Sequence, residues 1–189
     1  MTKKAIVGGL LGGLTLFVWG AISHMALPLG EAGVRTIPAP AEDAVVAALK
    51  GAMSERALYI FPGLDMKHAG EAEQKAWQAK YDAGPAGIVV FDPKPEGSMP
   101  RWLGIELAGT ILAALMAAIV ILHVPASVGL LRRALLVALL GLLEGFDIDV
   151  SQWNWYSFPT AYMLAQLVDH VVGWFLAGLV LARVCRDRT

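Results

Sequence analysis

Four long apolar segments constrain the fold of this chain more than any other feature. They occupy approximately residues 5–22, 102–122, 134–150 and 159–184. A helix rises 1.5 Å per residue, so about 20 apolar residues cross the hydrocarbon core of a bilayer. The chain is only 16% charged, whereas an ordinary soluble domain is about 25% charged. The sequence therefore predicts an all-α transmembrane bundle of about four helices.

Residues 27–100 carry charges of both signs and most of the prolines, unlike the apolar segments on either side. Apolar periodicity predicts helices over residues 41–53 and 71–81. Short strands are predicted over residues 57–61 and 87–91, which are bounded by glycine or proline. We therefore expect a small extracytoplasmic α/β insertion between spans 1 and 2, with a core too thin for independent stability.

The expected domain organisation has three parts. Residues 1–26 form a first transmembrane helix, residues 27–100 form the α/β domain, and residues 101–189 hold transmembrane helices 2–4 with a short cytoplasmic tail. Lys3 and Lys4 ahead of the first apolar run are also typical of a secretory signal peptide. Because that run of about 18 residues exceeds the usual apolar core of a signal, we expect an uncleaved anchor, with cleavage near Ser23 as the alternative.

Basic residues near the ends of the apolar segments predict the orientation in the membrane. If the chain crosses four times, these residues all fall on one side: Lys3, Lys4, Arg132, Arg133, Arg183, Arg186 and Arg188. Lysine and arginine are enriched in cytoplasmic segments. We therefore expect both termini in the cytoplasm, residues 27–100 outside, and a bacterial inner membrane as the location, since the sequence shows no organelle-targeting pattern.

Small residues recur along three of the four segments. They are Gly8, Gly9, Gly12, Gly13 and Gly20 in the first, Gly109, Ala113 and Ala117 in the second, and Ala161, Ala165, Gly173 and Ala177 in the fourth. Such stripes let membrane helices approach closely. They predict a packed bundle, or a face for a partner subunit.

Asp169 is the residue that points most clearly to a function. It lies about ten residues into the fourth segment, hence roughly 15 Å deep by helical rise, and it falls within the stripe of small residues there. A carboxylate at that depth costs several kcal/mol unless it is paired or protonated. His170 is adjacent to it, and Glu144 on the third segment is expected at a similar depth.

The candidate ion or proton site therefore contains Glu144, Asp169 and His170, with Glu106 and His24 as its entrance. Carboxylates and imidazoles together bind a divalent metal or relay a proton. The structural interpretation, which the sequence favours over a working site, is that these groups only hydrogen-bond between helices and fix their packing. Haem is not favoured, because no two histidines are expected at matching depth on facing helices. The sequence leaves the cofactor unknown and keeps a divalent metal as an option.

An aromatic cluster, defined by Trp153, Trp155 and Tyr156, is predicted to lie in an outer loop over about residues 149–158. Tryptophan and tyrosine favour the headgroup level of a membrane, where Trp19 and Trp102 are also expected. Anchoring at the membrane surface is the favoured role for the cluster, and docking of a partner or a lipid is the alternative.

Function is less constrained than fold. The net charge of −1 gives no indication of nucleic-acid binding, and no motif of a nucleophilic or phosphate-binding enzyme is present, so an enzyme is not favoured. The leading expectation is a non-enzymatic accessory or scaffold component of a membrane complex, in contact with other subunits or with itself. The alternative is a proton or small-cation carrier or channel that uses the acidic and histidine cluster; a ligand sensor is a further alternative.

Overall fold

The structure, a computed structural model, describes residues 2–186 of the chain. In this range the protein is 70% helical, with six α-helices and one two-stranded sheet. The elements are α1 (Lys3–Met25), α2 (Ala39–Ala52), β1 (Ala57–Phe61), α3 (Glu71–Ala83), β2 (Gly87–Phe91), α4 (Met99–Leu122), α5 (Leu130–Tyr156) and α6 (Thr160–Val184). A short 3₁₀ turn, Pro28–Glu31, follows α1. Arg188, expected in the basic tail, lies outside the described residues.

Three of these helices, α1, α4 and α6, are long and apolar enough to cross a membrane. The expectation of about four such helices is therefore supported only in part. The remaining long helix is α5, which has 27 residues and carries Glu144, Asp147 and Asp149 in its second half. Its length would suffice for a crossing, but these carboxylates make it less apolar than the other three.

The end of α5 differs from the sequence-based prediction. A loop is predicted over residues 149–158, whereas the helix continues to Tyr156. No glycine or proline interrupts residues 146–156, so nothing in that stretch ends the helix. The turn comes only at Ser157, which has a φ of 58°, before Pro159. The prediction of a loop over this whole stretch is therefore wrong, and its location outside the membrane stays a prediction.

The chain divides into two compact units. The first, called the helix bundle below, combines the chain up to Arg35 with Gly97–Asn154 and with the segment from Phe158 onward. The second, called the α/β unit, consists of Thr36–Glu96 together with Trp155–Ser157.

Glycines bring α1 close to two other helices of the bundle. A Cβ atom added to Gly9 would lie 2.9 Å from the Cα of Leu115 on α4, and one added to Gly13 would meet the backbone of Ile111. Toward α6, a Cβ atom on Gly12 would lie 3.2 Å from a methyl carbon of Leu181. The glycine stripe of α1 is thus buried against its neighbours, where short backbone distances favour helix association.

α5 and α6 run antiparallel along their length. Near the start of α5, the carbonyl oxygen of Ala134 would lie 2.7 Å from a Cβ atom added to Gly178 of α6. Near the end of α5, the indole N–H of Trp153 donates a 3.0 Å hydrogen bond to the hydroxyl of Thr160, at the start of α6. α5 therefore carries the chain from one end of the bundle to the other.

The starts of α1 and α5 meet the ends of α4 and α6 at what is called the basic end below. The Lys4 ammonium group donates to the carbonyl oxygen of Arg186 at 3.1 Å. An apolar cluster fills the interior beside this end: Ala117, Ala118, Ile121, Val137, Leu181 and Cys185.

Arg133 is buried at the basic end, with 1% of its surface exposed. Its guanidinium group donates to four carbonyl oxygens, those of Val124 at 2.8 Å, Ile121 at 3.0 Å, Pro125 at 3.3 Å and Cys185 at 3.3 Å. The last carbonyls of a helix lack partners within the helix and carry partial negative charge. Arg133 therefore joins the ends of α4 and α6 to the first turn of α5.

The α/β unit has a very thin core. β1 and β2 pair antiparallel, with Leu58 opposite Val90, at the residues that the sequence predicts for both strands. None of residues 36–96, all of which the structure describes, is buried. The indole N–H of Trp77 donates to the carbonyl oxygen of Pro62 at 2.9 Å, which attaches α3 to the end of β1.

Candidate functional site

A cavity of about 430 Å³ lies within the helix bundle, between α1, α4, α5 and α6. All the titratable residues that the sequence proposes for a site line it: His24, Glu106, Glu144, Asp169 and His170. They come from four different helices. The structure therefore brings these five residues together, while their role stays a prediction.

Asp169 lies on the inward face of α6, and only 9% of its surface is exposed. Its side-chain oxygen Oδ1 has no hydrogen-bond partner among the described residues. The backbone carbonyl of Asp169 accepts a 3.1 Å hydrogen bond from the indole N–H of Trp19 on α1. A Cβ atom added to Gly173, one turn along α6, would lie 2.8 Å from that indole ring. Gly173 thus makes room for Trp19, which fixes α1 against the helix that carries the carboxyl group.

Trp19 corrects one expectation from the sequence. An aromatic residue near the end of an apolar segment is expected in the belt at the membrane surface. Trp19 instead lines the cavity and bonds to α6. The sequence does not reveal this, because it does not show which helix α1 faces at that position.

Glu144 enters the cavity from α5. Its Oε2 atom accepts a 2.9 Å hydrogen bond from the indole N–H of Trp174 on α6. A Cβ atom added to Gly141 would collide with the Trp174 ring and with the backbone of His170. The missing side chain at Gly141 therefore lets Trp174 reach Glu144, and one carboxylate oxygen is held in place.

His170 connects the cavity to a buried acid that the sequence analysis did not assign to the site. Its Nδ1 atom lies 3.2 Å from Oδ2 of Asp149, close enough for an ion pair when the imidazole is protonated. The two atoms are not aligned as a hydrogen bond, and neither has another partner among the described residues. Asp149 is 5% exposed.

The position of Asp149 could have been inferred from spacing. Gly141, Gly145 and Asp149 recur every four residues on α5, just as Ala165, Asp169 and Gly173 do on α6. Residues four apart share one face of a helix. An acid that continues a stripe of small residues faces protein, so the stripe on α5 indicates an inward carboxyl group at Asp149.

His24 and Glu106 lie at the rim of the cavity, away from the basic end, and both are exposed. The Nδ1 atom of His24 is 2.9 Å from the hydroxyl of Ser23 and 3.1 Å from the carbonyl oxygen of Gly20. The 3₁₀ turn packs against this histidine, because a Cβ atom on Gly30 would lie 3.0 Å from the His24 Cα. Their role as an entrance stays a prediction.

Metal binding finds no support in the arrangement of ligands. Within residues 2–186, no group of three or more His, Cys, Asp or Glu side chains is close enough to hold a metal ion. Small divalent cations bound by protein side chains usually need several such ligands.

The aromatic cluster of Trp153, Trp155 and Tyr156 occupies the last turns of α5 and is exposed. Trp155 exposes 75% of its surface. A role for the cluster in binding a partner or lipid stays a prediction.

Comparison with family models, curated proteins and solved structures found no match to this chain.

Proposed function

We propose that this chain is a four-span protein of a bacterial cytoplasmic membrane that carries protons through a site centred on Asp169. A small monovalent cation is the alternative cargo. The observation that supports this most strongly concerns the Oδ1 atom of Asp169. This atom lacks a hydrogen-bond partner among the described residues, and its side chain is nine-tenths buried in the wall of a cavity with four other titratable residues.

The cost of an unpaired carboxylate supports a proton-binding role. An ionised carboxyl group away from water costs several kcal/mol unless it is paired or neutralised. A residue that only fixed packing would be expected to have both side-chain oxygens bonded. The unpaired oxygen of Asp169 is buried in the wall of the cavity, where binding a proton would neutralise the carboxylate.

The difference between the two ends of the bundle supports a cavity that protons reach from one side at a time. The exposed His24 and Glu106 stand at the rim of the cavity. In the opposite direction, the apolar cluster around Ile121 and Leu181 fills the interior. Release toward the basic end requires this apolar region to open, which is a carrier-like step and not a continuous channel.

The course of α5 supports a fourth crossing. α4 ends at the basic end, and α6 begins at the opposite end, where Trp153 bonds Thr160. The helix between them must cover the distance between these ends. Its carboxylates Glu144 and Asp149 face the interior of the bundle, where a charge is tolerated far better than in lipid.

The basic residues support an orientation with the basic end in the cytoplasm. Lys3, Lys4, Arg132 and Arg183 lie at or near helix ends that meet there. Positive charge is enriched on the cytoplasmic side of membrane proteins. Residues 36–96 would then lie outside.

Proton flux into liposomes tests the proposal. The purified protein is reconstituted with a pH-sensitive dye inside, and a potassium diffusion potential drives protons inward. We expect flux above that of protein-free liposomes, and we expect Asp169→Asn to reduce it to the protein-free level. Asp147→Asn is the matched control, because Asp147 is an exposed acid on α5 that does not line the cavity.

A second substitution separates transport from packing. Asp169→Glu keeps a carboxyl group and should retain part of the flux, whereas a packing role would penalise the longer side chain at least as much as asparagine. Wild-type flux in Asp169→Asn, or no flux from the wild-type protein, would contradict the proposal.

The second candidate function is that of an accessory or scaffold component of a membrane complex. It is favoured by the α/β unit, which has no buried residue in 36–96 and exposes Leu58, Ile60 and Val90 on one face of its sheet at 51%, 58% and 78%. A face this apolar suits a protein partner. Purification from native membranes in a mild detergent should then yield a partner in fixed ratio, detected by mass spectrometry. Recovery of the chain alone would argue against it.

A further inference from the structure

A second cavity, of about 520 Å³, lies on the outer surface of the helix bundle and has a different chemistry from the first. It is a groove along α5 that includes Leu135, Leu139 and Leu142, with Val171 of α6 on one side. Arg132 is its single charged lining residue. This groove, called the α5 groove below, shares no residue with the cavity around Asp169.

We propose that the α5 groove binds an anionic phospholipid, with the phosphate on Arg132 and an acyl chain along the leucines. The proposal depends on the crossing of the membrane by α5, but not on proton transport.

The length of the groove matches one leaflet of a bilayer. Ten residues separate Arg132 from Leu142, which corresponds to about 15 Å along a helix. The hydrocarbon core of a bilayer is about 30 Å thick, so one leaflet contributes about 15 Å. A headgroup at Arg132 would therefore place an acyl chain beside Leu139 and its tip near Leu142.

The charge at the groove selects the headgroup. Arg132 is exposed and has no carboxylate partner among the described residues. The adjacent Arg133 is used internally, since its guanidinium group bonds helix-end carbonyls. Guanidinium groups bind phosphate with two parallel hydrogen bonds. An exposed guanidinium group without a carboxylate partner favours a headgroup with net negative charge over a zwitterionic one.

The exposure of the neighbouring leucines supports a lipid as the occupant. Leu135, Leu136 and Leu139 expose 50%, 44% and 55% of their surface. Apolar side chains that are this exposed are stable when acyl chains cover them. The groove gives one acyl chain a defined position. A bound lipid with its phosphate at Arg132 satisfies both the charge and the apolar surface.

Native mass spectrometry of the full chain tests the proposal. The protein in mild detergent is mixed with equimolar phosphatidylglycerol and phosphatidylcholine that carry the same acyl chains. One cation near an anionic headgroup contributes about 1 kcal/mol, so we expect about fivefold preferential retention of phosphatidylglycerol. Arg132→Ala should remove the preference, and Arg132→Lys should keep most of it.

Two control pairs complete the design. Arg183→Ala removes a nearby exposed cation outside the groove and should leave most of the preference intact. Leu139→Trp fills the groove and should reduce retention of both lipids, whereas Leu143→Trp, at an exposed residue outside the groove, should not. Each variant is first checked for an unchanged elution profile and melting temperature.

Three results would overturn the proposal. They are equal retention of the two lipids by the wild-type protein, an unchanged preference in Arg132→Ala, or displacement of the phospholipid by excess sodium phosphate. The last result would mean that Arg132 binds phosphate without any contribution from the groove. None of these readouts depends on proton flux, so failure here and failure of the proposed carrier are distinguishable.

Discussion

Two charged side chains inside the helix bundle, Asp169 and Arg133, have opposite surroundings. The guanidinium group of Arg133 donates to four carbonyl oxygens and has only its Nε atom without a partner among the described residues. The Oδ1 atom of Asp169 is buried and has no partner among the described residues, and Asp169 lines a cavity. We therefore interpret Arg133 as a structural residue and Asp169 as a functional one.

Arg133→Lys tests the structural role. A lysine keeps the charge but lacks the planar fork that reaches carbonyls of α4 and α6 together. We expect a loss of about 1–3 kcal/mol in the free energy of unfolding, measured by thermal denaturation in detergent. Arg132→Lys is the matched control, because Arg132 is exposed, and it should change stability by less than about 0.5 kcal/mol. Equal effects of the two substitutions would contradict this assignment.

Asp65 in the α/β unit provides a pH-dependent prediction. The hydrogen bond between Asp65 and His68 lowers the pKa of Asp65 below its ordinary value of 3.8. A hydrogen bond from the backbone N–H of Lys67 lowers this pKa further. Because the pKa is lower in the folded state, the stabilising effect is present above pH 3.8 and is lost as the pH falls through the folded-state pKa. Carboxyl NMR titration should show this depressed pKa, and His68→Ala should raise it. An unchanged titration in His68→Ala would contradict the proposed cause.

At the scale of elements, the sequence predicts which residues form helices better than it predicts which side chains lie between the packed helices. α1, α4 and α6 follow from long apolar runs, and both strands fall at the predicted residues. The structure of residues 149–158 is harder to predict, because aromatic and acidic residues occur both in loops and at helix ends. A loop over residues 149–158 would leave Asp149 outside the bundle, whereas the helix that continues through it directs Asp149 into the bundle beside His170.

Gly13→Ala tests the close contact of α1 with α4. The new methyl group would meet the backbone of Ile111, which cannot move as a flexible side chain would. We expect a destabilisation of about 1–3 kcal/mol, measured by thermal denaturation in detergent. Gly104→Ala is the control, since a Cβ atom there meets nothing within 4 Å. If both variants have the same melting temperature as the wild-type protein, this contact is not important for stability.

At the scale of the whole molecule, the number of crossings decides the topology. With α5 as a crossing helix, the α4–α5 and α5–α6 connections lie on opposite sides of the membrane. Without it, they lie on the same side. The distinction also decides whether the α5 groove faces lipid.

Cysteine labelling in intact cells tests the topology. In a Cys185→Ser background, single cysteines are placed at Ser54, Ser127 and Ser157 and exposed to a membrane-impermeant maleimide. We expect labelling from outside at positions 54 and 157, and at position 127 only after the membrane is opened. Identical accessibility of positions 127 and 157 would contradict the fourth crossing.

The candidate site could be predicted in part from the sequence. Depth along each helix and the stripes of small residues identify Asp169, Glu144, His170, Glu106 and His24, which all line one cavity. The roles of Trp19 and Trp174 could not be predicted, because they depend on which faces of two helices meet. The sequence alone favoured an accessory role, and the convergence of these residues on one cavity favours proton transport instead.

Infrared difference spectroscopy at varied pH tests the central claim most directly, because it detects protonation of individual carboxyl groups. If Asp169 binds a proton in the cavity, the wild-type protein should show a pH-dependent carbonyl band of a buried carboxylic acid. Asp169→Asn should abolish that band, and Asp147→Asn should preserve it. An identical set of bands in wild-type protein and Asp169→Asn would contradict the claim that Asp169 is the proton-binding group.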